Sequence, residues 1–122
     1  MVLVDTSVWI RFLANRAPYA AKLDALLGQG EVCGHDFVIG ELLIGDKGGR
    51  RQLLADYALM HRAPVVPHPE VVEFVRQRRL HGRGIGWIDT HLLASALVSR
   101  MTLWTADPRL ADVARELGID ED

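Results

Sequence analysis

The chain has 122 residues, enough for one domain with a single buried core. Apolar residues make up 49% and charged residues 25%, which excludes a disordered chain, and nothing reaches the roughly 18 consecutive apolar residues of a membrane span. A net charge of −2 argues against a strongly basic nucleic-acid binder, and one cysteine, Cys33, excludes an internal disulfide.

Val2–Val4 is a short apolar run of the kind expected for a buried parallel strand. No basic segment precedes it, so no secretory signal is expected, and a lone Cys33 suits a reducing cytoplasm. Thr6 or Ser7 can cap a helix in which Val8, Trp9, Phe12 and Leu13 recur at helical spacing. Pro18 suits the first turn of a second helix, with Leu23, Leu26 and Leu27 inward and Gly28 and Gly30 ending it. Residues 31–34 predict a second strand with Cys33 buried in it. Apolar residues at 38, 39, 42, 43 and 44 predict a helix over 37–44, stopped by Gly45. Gly48 and Gly49 make a turn before another helix, marked by Leu53, Leu54, Tyr57, Leu59 and Met60. Pro64 and Pro67 enclose Val65 and Val66, which read as a short strand. Pro69 opens a helix bearing Val71, Val72, Phe74 and Val75, and the glycine-rich segment 81–86 follows as a mobile loop. A strongly apolar helix then spans about Trp87 to Val98, and Thr102–Trp104 reads as a strand. A terminal helix over 108–117 is ended by Gly118, and Asp120, Glu121 and Asp122 form a short frayed acidic tail.

Strands alternating with helices predict an α/β layer fold with a mainly parallel sheet. Ligands in such folds bind beyond the carboxyl ends of the strands. Asp5 directly follows the first strand and Asp107 closely follows the last. Glu41 and Asp89 lie on helices among apolar neighbours, which puts each carboxylate at the rim of the interior. Four converging carboxylates repel one another unless a cation neutralises them. Oxygen-only donors suit a hard ion, Mg²⁺ or Mn²⁺, as in a metal-dependent phosphodiesterase.

Without these four acids the net charge of −2 would become +2. The basic residues cluster, with Lys47, Arg50 and Arg51 in one stretch and Arg76, Arg78, Arg79 and Arg83 in another. Phosphate contacts need local positive charge, although solvated helix faces account for each arginine as well.

Each acid also has a local explanation. Asp5, Thr6 and Ser7 read equally as a helix-cap cluster, and a salt bridge would satisfy Glu41. Asp89 lies near a helix start, where the macrodipole favours it. Asp107 before Pro108 can be an N-cap, unless Thr105 takes that role and frees it. Asp112 is an additional outer-ligand candidate that reads as exposed. His35, His61, His68, His81 and His91 form no zinc motif. Gly82, Gly84 and Gly86 follow a helix rather than a strand, so they read as a loop near Asp89 in reach of substrate rather than a dinucleotide loop. Trp9, Trp87 and Trp104 read as core residues.

The phrases LVDTSVWI around Asp5, GELLIG around Glu41, IDTHLLASA around Asp89 and LWTADP around Asp107 occur in that order across essentially the whole chain. Together they resemble the PIN-domain ribonucleases, and among them the VapC toxins of bacterial toxin–antitoxin pairs. The resemblance implies one PIN-like three-layer domain over residues 1–122, its central sheet flanked by helices. It implies a Mg²⁺- or Mn²⁺-dependent endoribonuclease with Asp5, Glu41, Asp89 and Asp107 as metal ligands and catalytic set, leaving a 5′-phosphate. Ser7 or Thr105 would support a ligand or hydrogen-bond the phosphate. RNA as substrate, a cognate antitoxin, a homodimer and a cytoplasmic location away from membranes follow from the same resemblance. Trp9, Phe12, Leu13 and the helix over 37–44 would offer that antitoxin an apolar groove. Two other readings suit the residues: a PIN module that binds RNA or protein with negligible cleavage, and a Mg²⁺-dependent small-molecule phosphatase. Ser7 stands where a phosphatase of that type has a second aspartate.

Overall fold

The computed structural model describes residues 1–121, so Asp122, the end of the expected acidic tail, lies outside the described residues. Its centre is a parallel sheet in the order β2-β1-β3, made of β1 (Val2–Val4), β2 (Val32–Cys33) and β3 (Thr102–Trp104). Val2 pairs with Val32 on one side and Thr102 on the other, and Val4 pairs with Trp104. All of β1 is buried, as a strand must be when helices cover both faces of its sheet. The helices are α1 (Thr6–Leu13), α2 (Tyr19–Gly28), α3 (Asp36–Ile44), α4 (Arg51–Ala58), α5 (His68–Arg78), α6 (Trp87–Val98) and α7 (Pro108–Glu116). This is the α/β architecture expected from the alternation of strands and helices.

The core is built around β1. Trp9 on α1 packs edge-on against Phe12 and Tyr57, with ring centroids 5.8 and 5.4 Å away. Helix α6 is buried continuously from Thr90 to Ala96, which explains why its apolar residues are not confined to one stripe.

Three local expectations are corrected. Val65 and Val66 form no strand. The chain bridges to the sheet three residues earlier, at Arg62, with Gly34 N–H donating to His61 O at 2.8 Å and Ala63 N–H to Gly34 O at 2.9 Å. Pro64 and Pro67 have no N–H with which to extend that ladder, and Val66 turns inward against Val71 and Ala94. The tail does not fray over its described residues. Leu103 N–H donates to Ile119 O at 2.7 Å, Glu121 N–H donates to Leu103 O at 3.1 Å, and the Thr102 hydroxyl reaches Glu121 Oε1 at 2.8 Å. Finally, neither Thr6 nor Ser7 caps α1. Its N-cap is Asp5, which makes no side-chain cap bond, so both hydroxyls are left for other partners.

His35 anchors the start of α3 and is fully buried. Its Nδ1 accepts the Phe37 N–H at 3.0 Å. Ser95 donates its hydroxyl proton to Pro64 O at 2.8 Å, so its Oγ must accept from His35 Nε2, 3.0 Å away. Only the neutral ring with its proton on Nε2 satisfies both contacts. Burial accordingly pushes His35 down from 6.5 to about 4. A histidine lowered in the folded state stabilises it fully above its unfolded value and loses that contribution as pH falls toward the folded one. We expect about 2 kcal/mol of unfolding free energy to vanish between pH 7 and pH 5 from this residue. Urea denaturation of the wild type and His35→Asn checks this. An equal pH dependence in both proteins would contradict it.

Candidate metal centre

The parallel register of β1 and β3 sets up the site. Val4 opposite Trp104 brings Asp5 and Thr105 together at the strands' carboxyl ends. Asp5 is only 5% exposed. The Ser7 and Thr105 hydroxyls both donate to Asp5 Oδ2, at 2.7 and 2.8 Å. Each hydroxyl is itself fixed by a backbone donor: Ala106 N–H reaches Ser7 Oγ and Asp107 N–H reaches Thr105 Oγ1, both at 3.0 Å. Two short relays therefore run from the loop after β3 into one carboxylate oxygen, each link polarising the next.

The other acids come from three further elements. Glu41 lies in the middle of α3, and the Thr6 hydroxyl donates to its Oε1 at 2.7 Å. Asp89 stands in the first turn of α6, where its Oδ2 accepts the Gly86 N–H at 3.1 Å, half of a capping box. Asp107 is the N-cap of α7, its Oδ1 accepting the Arg109 N–H at 3.0 Å. Thr105 thus does not replace Asp107 as cap. It is committed to Asp5, and Asp107 engages one oxygen in capping.

Asp89 reports on the whole group. Burial raises its carboxyl above the ordinary value of 3.8; the Gly86 N–H pulls it back, and the charges of Asp5, Asp107 and Glu41 push it up further. The four acids are therefore electrostatic neighbours. Yet among the described residues no three acidic, histidine or cysteine groups are drawn together tightly enough to grip one ion directly. The arrangement is an open acidic cluster whose members are each held by a hydroxyl or a backbone N–H.

The PIN domain profile matches residues 2–116. The chain belongs to the PIN-domain family. Ribonuclease VapC32 of Mycobacterium tuberculosis, in strains CDC 1551 / Oshkosh and ATCC 25618 / H37Rv, is 47% identical over 120 residues, which cover 98% of this chain and 94% of that protein. The PIN domain described here is thus of the VapC type. Among solved structures, a chain of FitAB bound to an IR36 DNA fragment superposes with a TM-score of 0.63 at 24% identity. The match covers 94% of this chain and 91% of that one and concerns the fold.

Asp112 forms an exposed ion pair with Arg115 at 2.9 Å. The loop 81–86 is tied to α7, with Arg83 pairing both carboxylate oxygens of Glu116. Gly84, at φ +80°, lies so close to the Arg109 side chain that an added Cβ would stand 2.8 Å from it. Trp9 and Trp104 are core as expected, but Trp87 is 44% exposed. Thr6 was readable only as a cap, because its hydrogen bond to Glu41 spans 35 residues. No helix among the described residues is long and apolar enough to cross a membrane.

Proposed function

We propose that this chain is a Mg²⁺-dependent endoribonuclease, with Mn²⁺ able to substitute, and the toxin of a toxin–antitoxin pair. Residues 1–122 would form the single nuclease domain, acting in the cytoplasm. The observation behind this reading is that Asp89 feels the charges of Asp5, Asp107 and Glu41 at once. None of the four is in an ion pair among the described residues, and oxygen-only donors in that number suit a hard cation. Mg²⁺ retains several of its own waters, which suits carboxylates not drawn into a closed shell.

Asp5, Glu41, Asp89 and Asp107 would hold the ion, directly or through water. When bound, it supplies a water of lowered pKa and neutralises charge that develops on the phosphodiester, leaving a 5′-phosphate. The protein's own part is orientation. Ser7 and Thr105 hold one oxygen of Asp5, Thr6 holds Glu41, the Gly86 N–H holds Asp89, and the α7 cap holds Asp107. Carboxylates restrained in this way lose little freedom on engaging a ligand, which is the usual role of supporting residues around metals.

The antitoxin would cover this edge. Of the groove expected from Trp9, Phe12, Leu13 and the helix over 37–44, Trp9 drops out because it is core. Ile10, Leu43 and Ile44 are the exposed apolar residues on α1 and α3 and take its place. For the homodimer, an apolar hollow of about 150 Å³ between α5 and α6, lined by Phe74, Leu97 and Val98, offers a face for a second copy. Protein separated from its partner should cleave single-stranded RNA in millimolar Mg²⁺, stop on chelation and resume with Mn²⁺. Cleavage that survives chelation overturns the reading. So does intact RNA alongside turnover of a small phosphomonoester.

A further inference from the structure

Two of the three tryptophans are packed into the core, and Trp87 is not. It occupies the first position of α6, two residues before Asp89. Two imidazoles hold its ring. His68 lies 5.2 Å away, tilted by 56°, and His91 lies 5.2 Å away, nearly perpendicular at 88°. His91 is buried beside it and meets Phe37 edge-on at 4.8 Å, and Phe37 in turn lies 5.2 Å from His35. A continuous ladder of rings thus runs from the core, through the contact between α3 and α6, to an open indole. Phe37 stands one helical turn before Glu41 on the same side of α3. The two helices that supply Glu41 and Asp89 therefore also supply the inner rungs of this ladder.

Packing does not require this indole to be outside. A large aromatic placed for the core would bury most of its surface, as Trp9 and Trp104 do. An acidic rim repels RNA phosphates until a cation neutralises it, so an attraction that carries no charge helps to hold the substrate. The π-face of a base stacked on an aromatic ring provides it, whatever the base. A ring already braced by two neighbours loses little freedom on binding, so more of the stacking remains as affinity. We propose that Trp87 is the stacking platform for one unpaired nucleobase of the RNA, placing the adjoining phosphodiester at the acids. This rests on the ribonuclease reading above and names the contact by which that site would hold its substrate. Trp87 shares the first turn of α6 with Asp89, two positions away and on a different side of the helix; a protein partner would also bury an exposed indole, and the test separates the two.

The test uses short single-stranded RNA and its duplex form, with binding measured on the Asp5→Asn background. Trp87→Ala should weaken single-strand binding roughly tenfold, with little change in duplex binding. Trp87→Phe, which keeps a ring, should restore most of it. RNA should quench tryptophan fluorescence in the parent and not in Trp87→Phe, because Trp9 and Trp104 are buried. In the cleaving enzyme, Trp87→Ala should raise KM far more than it lowers kcat. Unchanged single-strand affinity in Trp87→Ala overturns the proposal. So does normal RNA affinity with loss of the partner protein on co-purification, which would make this a protein contact. A parent protein that cleaves no RNA at all defeats the ribonuclease reading instead, and the two failures are told apart by that control.

Discussion

Asp5→Asn is expected to lower metal-dependent RNA cleavage by at least about a hundredfold while leaving the fold intact. Asparagine keeps the size of the side chain, and its carbonyl oxygen can still accept from Ser7 and Thr105, so the relays from Ala106 and Asp107 survive. What disappears is the charge, and with it the donor that a divalent ion requires. Thr105→Val separates the two roles. It removes one hydroxyl from Asp5 Oδ2 but leaves the carboxylate charged. Loss of such a supporting contact weakens metal binding or activity by roughly ten- to a hundredfold. The order should therefore be Asp5→Asn well below Thr105→Val, and Thr105→Val below wild type, with more metal partly rescuing the valine variant only. Asp112→Asn, which breaks only an exposed ion pair, is the control and should be unaffected. Cleavage rates measured against metal concentration decide this. An Asp5→Asn protein as active as the wild type would remove Asp5 from the site.

The parts of this architecture that were legible in the chain are those governed by neighbours in sequence. The apolar run ending at Val98, the strand at Thr102–Trp104 and the helix opened by Pro108 stand where they were read. Glycine and proline punctuate them, and apolar character fills them. Expectations failed where a distant partner decided the outcome. Val65 and Val66 looked like a strand, but the chain had already spent its sheet contact at Arg62. The acidic tail looked free until Leu103 offered it both an N–H and a carbonyl. The hydroxyls of Thr6, Ser7 and Thr105 show the same limit. Each is a plausible cap by local pattern, yet the β1–β3 register and the approach of α1 to α3 turn all three onto carboxylates. Trp87 is the converse case. Its apolar character suggested burial, whereas its place at the helix start sets it outside.

A divalent ion should raise the melting temperature of this protein by about 10 °C, and Asp89 should govern both the starting point and the size of that response. Burial, with the charges of Asp5, Asp107 and Glu41, holds the Asp89 carboxyl above its ordinary value. A carboxyl raised in the folded state favours folding below its unfolded value and loses that advantage as pH rises through the folded one. At neutral pH the metal-free protein therefore carries a charge it would be more stable without. Asp89→Asn should melt at a higher temperature than the wild type when no metal is present. An ion that binds only the folded state changes the balance, contributing about 2.7 kcal/mol at a hundredfold excess over Kd. The wild type should gain that in full, and Asp89→Asn should gain much less, so the two melting curves converge or cross as metal is added. Thermal scans at neutral pH, with and without millimolar Mn²⁺, follow this directly and need no RNA. Parallel shifts in the two proteins would place the ion elsewhere. An unchanged wild-type midpoint would mean that the four carboxylates, though neighbours, do not act on one ion.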